Sequence, residues 1–197
     1  MLPLFNDTTE ITDISLNAVA HMPTAGLPAL FDDSFAERLT DADRMRLAVL
    51  LAQKSYDEGG CPIGAVIVHN TTHRLLGKGH NTLVQENHPY NHGETSAIRD
   101  AGRQDFSAAT LYTSLSPCLV CATLLAMRGF SRVVIGDVTN ASGSESYLRD
   151  QGVQVDILED AMGIALYAAI RRERPMLDLE DWRGLDGVRR NDPGADS

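Results

Sequence analysis

The sequence predicts an α/β domain, a mixed five-stranded sheet with helices on both faces. Three observations carry that expectation. Short β-branched segments alternate with helix-periodic ones in the order α-β-β-α-β-α-β-α-β-α. Strands joined through helices call for parallel neighbours by right-handed crossovers, whereas the first two strands are separated only by a polar turn. The 197 residues, 43% hydrophobic and 22% charged, match one globular core.

Each element has a local reason. Residues 1–38 hold Pro3, Pro23, Gly26 and Pro28 among short apolar groups without sustained periodicity, and read as an arm that packs on the body or on a partner. Thr40 precedes Asp41 and Asp43, with apolar Met45, Leu47, Ala48, Leu51, Ala52 and Tyr56 following: an N-capped amphipathic helix ending near Gly59-Gly60. Ile63 to Val68 and Leu75 to His80 form a hairpin around His69-Asn-Thr-Thr-His73. Gly93 to Ala101 is a helix stopped by Gly102, and Thr110 to Ser114 is a strand. Pro117 sits where helix starts favour proline, and Cys118 to Met127 run to a left-handed cap at Gly129. Strand Arg132–Gly136, helix Ser144–Asp150, strand Val153–Leu158 and helix Ala161–Ile170, ending before Pro175, complete the order. The body is thus 39–175, with a tail over 176–197 that is polar from about Gly187.

Composition excludes several roles. With 27 acidic against 17 basic residues the net charge is −10, which repels phosphate backbones and disfavours a nucleic-acid partner. The densest apolar stretch, Leu47 to Ala52, falls far short of the ~18 residues of a membrane span. Pro3, Asp7, Glu10 and Asp13 interrupt the first thirty residues, which also lack a basic start, so a secretory signal is not supported and cytoplasmic residence is the expectation. Of three cysteines, two lie as Cys118-x-x-Cys121, a spacing that in a reducing compartment reads as metal or redox chemistry before it reads as a disulfide.

Three pieces carry chemistry: Gly79-His80-Asn81 at a strand end, His92-Gly93-Glu94 at one helix start and Pro117-Cys118-Leu119-Val120-Cys121 at another. A catalytic zinc takes three protein ligands and leaves its fourth position to water, whose pKa it lowers toward neutrality. His92, Cys118 and Cys121 supply three. Glu94, two residues past the histidine, is placed to move protons between that water, a ring nitrogen and a departing amine. Either pattern alone is weak, since Cys-x-x-Cys also marks redox and structural zinc sites and His-x-Glu arises by chance. A structural site would want a fourth ligand; Cys61, beside Pro62, reads instead as a small buried apolar residue. His88 reads as a loop residue, and His21, His69 and His73 as solvated or capping residues.

The order H-x-E followed by P-C-x-x-C resembles the zinc-dependent nucleobase deaminases of the cytidine deaminase-like superfamily. The likeness extends over Glu58 to Ala65, Gly77 to Asn81, Thr110 to Cys118, Tyr147-Leu148 and Arg174-Pro175, roughly residues 40–182, and is closest to fungal-type cytosine deaminases. That resemblance implies a three-layer α/β/α sandwich around a five-stranded mixed sheet, a homodimer, bound Zn²⁺ and hydrolysis of free cytosine to uracil and ammonia. It also implies that Asn81 hydrogen-bonds the ring edge, that the Gly93 N–H holds the carbonyl oxygen, that the Ser116 carbonyl accepts from the exocyclic amine, and that Ile63 lines the pocket. Without it, Asn81 reads as a turn residue.

Two departures bear on substrate. Where that family covers the base with a bulky aromatic, Asn140-Ala141-Ser142-Gly143 carries only small residues, which widens the pocket. The family's C-terminal Trp and acidic residue follow Arg-Pro directly, whereas here Trp182 lies behind Leu179-Glu180-Asp181, so Trp182 is either a lid or a tail anchor and Asp181 or Glu180 reads a ring N–H. The alternatives are the same chemistry on guanine, a pterin or creatinine, adenosine deamination in tRNA, and a non-catalytic zinc protein.

Overall fold

The computed structural model describes residues 13–22 and 33–178 of the chain. Its elements are α1 (Asp13–His21), α2 (Asp33–Arg38), α3 (Asp41–Asp57), β1 (Gly64–His69), β2 (Leu75–His80), α4 (Leu83–Glu86), α5 (Gly93–Ala101), β3 (Ala109–Thr113), α6 (Leu119–Met127), β4 (Arg132–Ile135), α7 (Glu145–Asp150), β5 (Gln154–Ile157) and α8 (Ala161–Glu173). Strand and helix limits fall within one to three residues of the sequence reading. Pro117 precedes the cap residue Cys118 and does not open the helix itself, and α8 continues to Glu173, past Ile170.

The sheet runs β2-β1-β3-β4-β5. β1 pairs antiparallel with β2 and β3, and β3, β4 and β5 are parallel, so the sheet is mixed as expected. Alternation along each strand sorts side chains into two layers. Val66, Val68, Tyr112 and Val134 face Met45 and Ala48 of α3 and Leu16 and Val19 of α1. Ala65, Ile67, Leu111, Val133 and Ile135 face Ala97 of α5, Ala122 and Leu125 of α6 and Leu148 of α7. Phe106 and Phe130 stack in that second layer with ring centroids 4.7 Å apart. A third cluster joins Tyr167 and Ile170 of α8 to Cys61, Ile63 and Leu115, and it confirms Cys61 as a buried packing residue, its sulfur 3.8 Å from the Tyr167 hydroxyl.

Helix α3 begins with the expected cap. Thr40 Oγ1 accepts from the Asp43 N–H at 3.2 Å, and Asp43 Oδ2 accepts from the Thr40 N–H at 2.8 Å, a reciprocal capping box. Gly129, at φ +74°, ends α6 as predicted.

The segment read as lacking periodicity contains two helices, α1 and α2. In α1 the inward residues Leu16, Val19 and Ala20 span barely one turn, too short a pattern to rise above chance in the sequence. A helix of nine residues is marginal alone and takes its stability from packing. Here it lies on α3, and the Lys78 ammonium of β2 donates to the Val19 and Ala20 carbonyls at 2.9 and 2.8 Å and to that of Met22, closing its C-terminal end. Lys78 stands between Gly77 and Gly79, which face α5: a Cβ on either would come within 2.4 Å of the Ala97 backbone. One edge strand thus holds the arm helix on one face and α5 on the other.

Candidate active site and metal centre

Two helices begin at one corner of the sheet, and each begins on a candidate ligand. His92 is the N-cap of α5 (φ −69°, ψ 166°) and Cys118 the N-cap of α6 (φ −66°, ψ 165°), with Cys121 in the first turn of α6. Neither cap residue makes a side-chain capping hydrogen bond. The side chains converge on each other instead: His92 Nδ1 lies 3.6 Å from Cys118 Sγ and 3.5 Å from Cys121 Sγ, and the three donor atoms lie within 4.8 Å of one another. A tetrahedral zinc with ordinary Zn–S and Zn–N bonds separates sulfur from nitrogen by about 3.6 Å, so the spacing fits that ion.

The charge arrangement fits as well. The neighbouring Cys121 and the His92 ring hold the Cys118 thiol down to about 4, against burial. Cys121 is pushed up by Cys118 and by burial. Two thiols this close oppose each other's ionisation, and a divalent cation is the partner that lets both be thiolates.

Glu94 is 2% exposed and interacts with Cys121, while its Oε1 accepts from Thr113 Oγ1 at 3.4 Å. Thr113, fully buried at the end of β3, shares its one hydroxyl proton between that carboxylate and the nearer Leu115 carbonyl at 3.1 Å, and it is a positioning contact that sequence reasoning passed over. Gly93 has a steric reason to be glycine, since a Cβ there would sit 3.0 Å from the Ile63 carbonyl oxygen and 3.2 Å from Ile63 Cγ2. Ile63 thus underlies the start of α5, and its carbonyl accepts from the Asn81 N–H at 2.8 Å.

Asn81, fully buried, fills the turn role: its Oδ1 accepts from the Leu83 N–H at 3.1 Å and begins α4, a single turn that the sequence did not announce. Its carbonyl accepts from Ser55 Oγ at 2.6 Å and from Gln85 Nε2 at 3.0 Å. Ser116 is tied from both sides, its N–H donating to the Asp137 carbonyl at 2.9 Å and its Oγ to Glu145 Oε1 at 2.6 Å. Asp137 and Glu145 were not singled out from sequence. Asp137 Oδ1 accepts from the Thr139 and Asn140 N–H groups, an Asx turn of the kind Asp starts often, and so fixes the loop leading to Ala141. Trp182, Asp181 and Glu180 lie outside the described residues, as does the polar stretch beyond Gly187.

Outside the metal corner lies an open cleft of about 1070 Å³, walled by His92, Cys118, Cys121, Tyr90, Val120 and Met127 among others and bounded by Ser142 and Gly143. Glu94, Asn81, Ile63 and Ser116 are buried and are not among the residues that line it. Among the described residues no helix is long and apolar enough to cross a membrane.

Residues 39–137 match the family model for the cytidine and deoxycytidylate deaminase zinc-binding region. The chain is 39% identical over 145 residues to a Candida albicans protein named cytosine deaminase, covering 72% of this chain and 93% of that one. It is 31% identical over 131 residues to a Haemophilus influenzae tRNA-specific adenosine deaminase, covering 63% and 75%. Among solved structures, a protein in complex with 2,6-diaminopurine superposes with a TM-score of 0.61 at 20% identity over 68% of this chain and 83% of that chain, a likeness of fold. With its sheet order, its His-Cys-Cys donor set and these matches in agreement, the chain belongs to the cytidine and deoxycytidylate deaminase zinc-binding family and is a zinc-dependent hydrolytic deaminase.

Proposed function

We propose that the chain deaminates free cytosine to uracil and ammonia. The observation that carries this reading is the 39% identity sustained over 93% of a protein named cytosine deaminase, against 75% of the Haemophilus tRNA-specific enzyme. The net charge of −10 argues on the same side, because an RNA substrate needs a basic surface.

His92, Cys118 and Cys121 would hold the zinc, which when bound supplies a water acidic enough to act as nucleophile at neutral pH. Glu94 would carry two protons in turn, both supplied by the attacking water, one to the ring nitrogen and the other to the amine that leaves as ammonia. Its burial suits the task, since a carboxylate screened from bulk water keeps its proton for the substrate. The Asn81 amide offers an acceptor and a donor to the ring edge, the Gly93 N–H holds the carbonyl oxygen, the Ser116 carbonyl accepts from the exocyclic amine, and Ile63 packs on the ring. Asp181 or Glu180 is the candidate to read a ring N–H, and Trp182 is either the lid over the base or an anchor for the tail.

A second reading, a bulkier free base such as guanine, a pterin or creatinine, is favoured by Ala141, a small side chain packed against the Ile63 cluster where an aromatic would narrow the site. The apolar row Leu119, Val120 and Met127, exposed by 63, 61 and 79% on α6, supports a homodimer, which sedimentation velocity tests. The deciding experiment is ammonia release by the zinc-loaded protein across cytosine, 5-methylcytosine, creatinine, guanine, adenine, isoxanthopterin and cytidine, with Glu94→Ala as blank. Turnover of cytosine is expected; turnover of a bulkier ring with cytosine ignored replaces the first reading by the second.

A further inference from the structure

The parallel strands that end at the metal corner begin at a second cleft. One row of the sheet, Val68, Thr110, Arg132 and Gln154, paired strand to strand, forms its floor, and the β1–β2 turn forms a wall. The cleft measures about 310 Å³, the lower end of small-molecule sites, and is lined by Arg44, His69, His73 and Arg132 in a protein that is otherwise strongly acidic.

The two arginines are in different states. Arg132 is saturated: its guanidinium spans both oxygens of Asp41 at 3.2 and 2.7 Å, and its Nε donates to Asp156 at 2.6 Å. Asp41 additionally accepts from the Tyr112 hydroxyl at 2.5 Å. Those carboxylates are therefore committed. Arg44, 8% exposed, makes hydrogen bonds of 3.5 Å to the Tyr112 hydroxyl, 3.4 Å to the Ala36 carbonyl and 3.2 Å to His73 Nδ1, lies 3.7 Å from Asp41 and stands 6.0 Å from the Tyr112 ring centre. Its Nε is buried with no hydrogen-bond partner. A buried guanidinium is a group that proteins otherwise match with an acceptor.

The histidines add donors. Arginine only donates, so His73 Nδ1 must accept and the ring carries its proton on Nε2. His69 Nδ1 accepts from the Thr71 and Thr72 N–H groups, each at 3.2 Å, which likewise places its proton on Nε2. The reading of His69 and His73 as solvated or capping residues is right for His69 Nδ1 and incomplete for the rest. Arg44, Arg132 and two imidazoles thus line one cleft, with Asp105 close enough to His69 to feel its charge, and an acceptor-rich ligand is the chemistry that this donor set suits.

We infer that this cleft binds a compact oxyanion, the phosphate or carboxylate of a small metabolite, at a site separate from the metal centre. The test uses the zinc-loaded full chain. Inorganic phosphate and succinate are titrated separately at constant ionic strength, with chloride as blank, and followed by calorimetry and melting temperature. At least one oxyanion should saturate where chloride does not, and which one does so identifies the source of the group. His73→Asn retains an acceptor for Arg44 and tolerates the backbone there, where φ is +56°; His69→Asn retains an acceptor for the turn. Each should weaken binding at least 10-fold while leaving the ligand-free melting temperature within about 2 °C. Arg44→Met should abolish binding, and the two histidine variants carry the test if that protein does not fold. Absence of saturation by both oxyanions, or an affinity unchanged in both histidine variants, overturns the site.

Discussion

Glu94 concentrates the consequences of sequence at a single residue. It sits in the first turn of α5, two residues from a ligand and in contact with another, so removing its charge tests proton transfer without removing a ligand. Glu94→Gln is expected to retain about one zinc per chain by metal analysis while kcat falls by roughly 10²–10⁴-fold, the range general acid–base catalysis contributes. Near-normal turnover in that variant would remove Glu94 from its role. At the far end of the sheet, the Arg132 hydrogen bonds hold the Asp41 carboxyl below its ordinary 3.8. A carboxyl lowered in the folded state contributes stability that is present above the ordinary value and lost as the pH falls toward the folded one. Asp41→Asn should flatten the loss of stability below about pH 4 in urea titrations, and an acid limb identical to that of the parent protein would contradict the pairing. The metal residues were legible because their chemistry is written in spacing: two cysteines one turn apart and a histidine two residues before an acid. Thr113, Asp137 and Glu145 were not, because each acts by a hydrogen bond to a residue distant in sequence or to a loop backbone, which no local pattern records.

Among elements, legibility followed periodicity. Helix α3 announced itself through its Thr40 cap and the apolar spacing from Met45 to Tyr56, and the hairpin through its polar turn. The arm helix did not, since its stability is lent by α3 and by an ammonium from another strand. Lys78→Met leaves the Val19, Ala20 and Met22 carbonyls without their charged donor, an expected loss of about 1–3 kcal/mol confined mainly to α1. Limited proteolysis should then cut within 13–22 well before the body, and equal protection of that segment in variant and parent would show the contact to be dispensable.

On the scale of the whole molecule, zinc would join the start of α5 to the start of α6, two helices on the same face of the sheet. Zinc binding is linked to folding, and a free concentration about 1,000-fold above Kd adds about 4 kcal/mol. For a chain of this size chelation should therefore lower the melting temperature by about 10 °C, reversibly on adding zinc back. A melting point indifferent to chelator would mean that the corner is rigid without its ion. That the sheet is mixed could be read from the sequence, because only the first connection is short enough to turn back on itself; its order β2-β1-β3-β4-β5 could not, since it depends on pairings between distant segments.

The glycines of β2 extend this coupling beyond the site. Gly77 and Gly79 let the backbone of α5 lie against the strand, and α5 begins with His92 and Glu94. Any side chain introduced on that face acts as a wedge: the helix must lift, and the ligand and the acid travel with it. A saturation scan scored on turnover would accordingly reveal a strip of intolerance along an edge strand that touches neither metal nor base, and a designer seeking to re-aim the reacting groups would have, in those two positions, a mechanical adjustment outside the pocket.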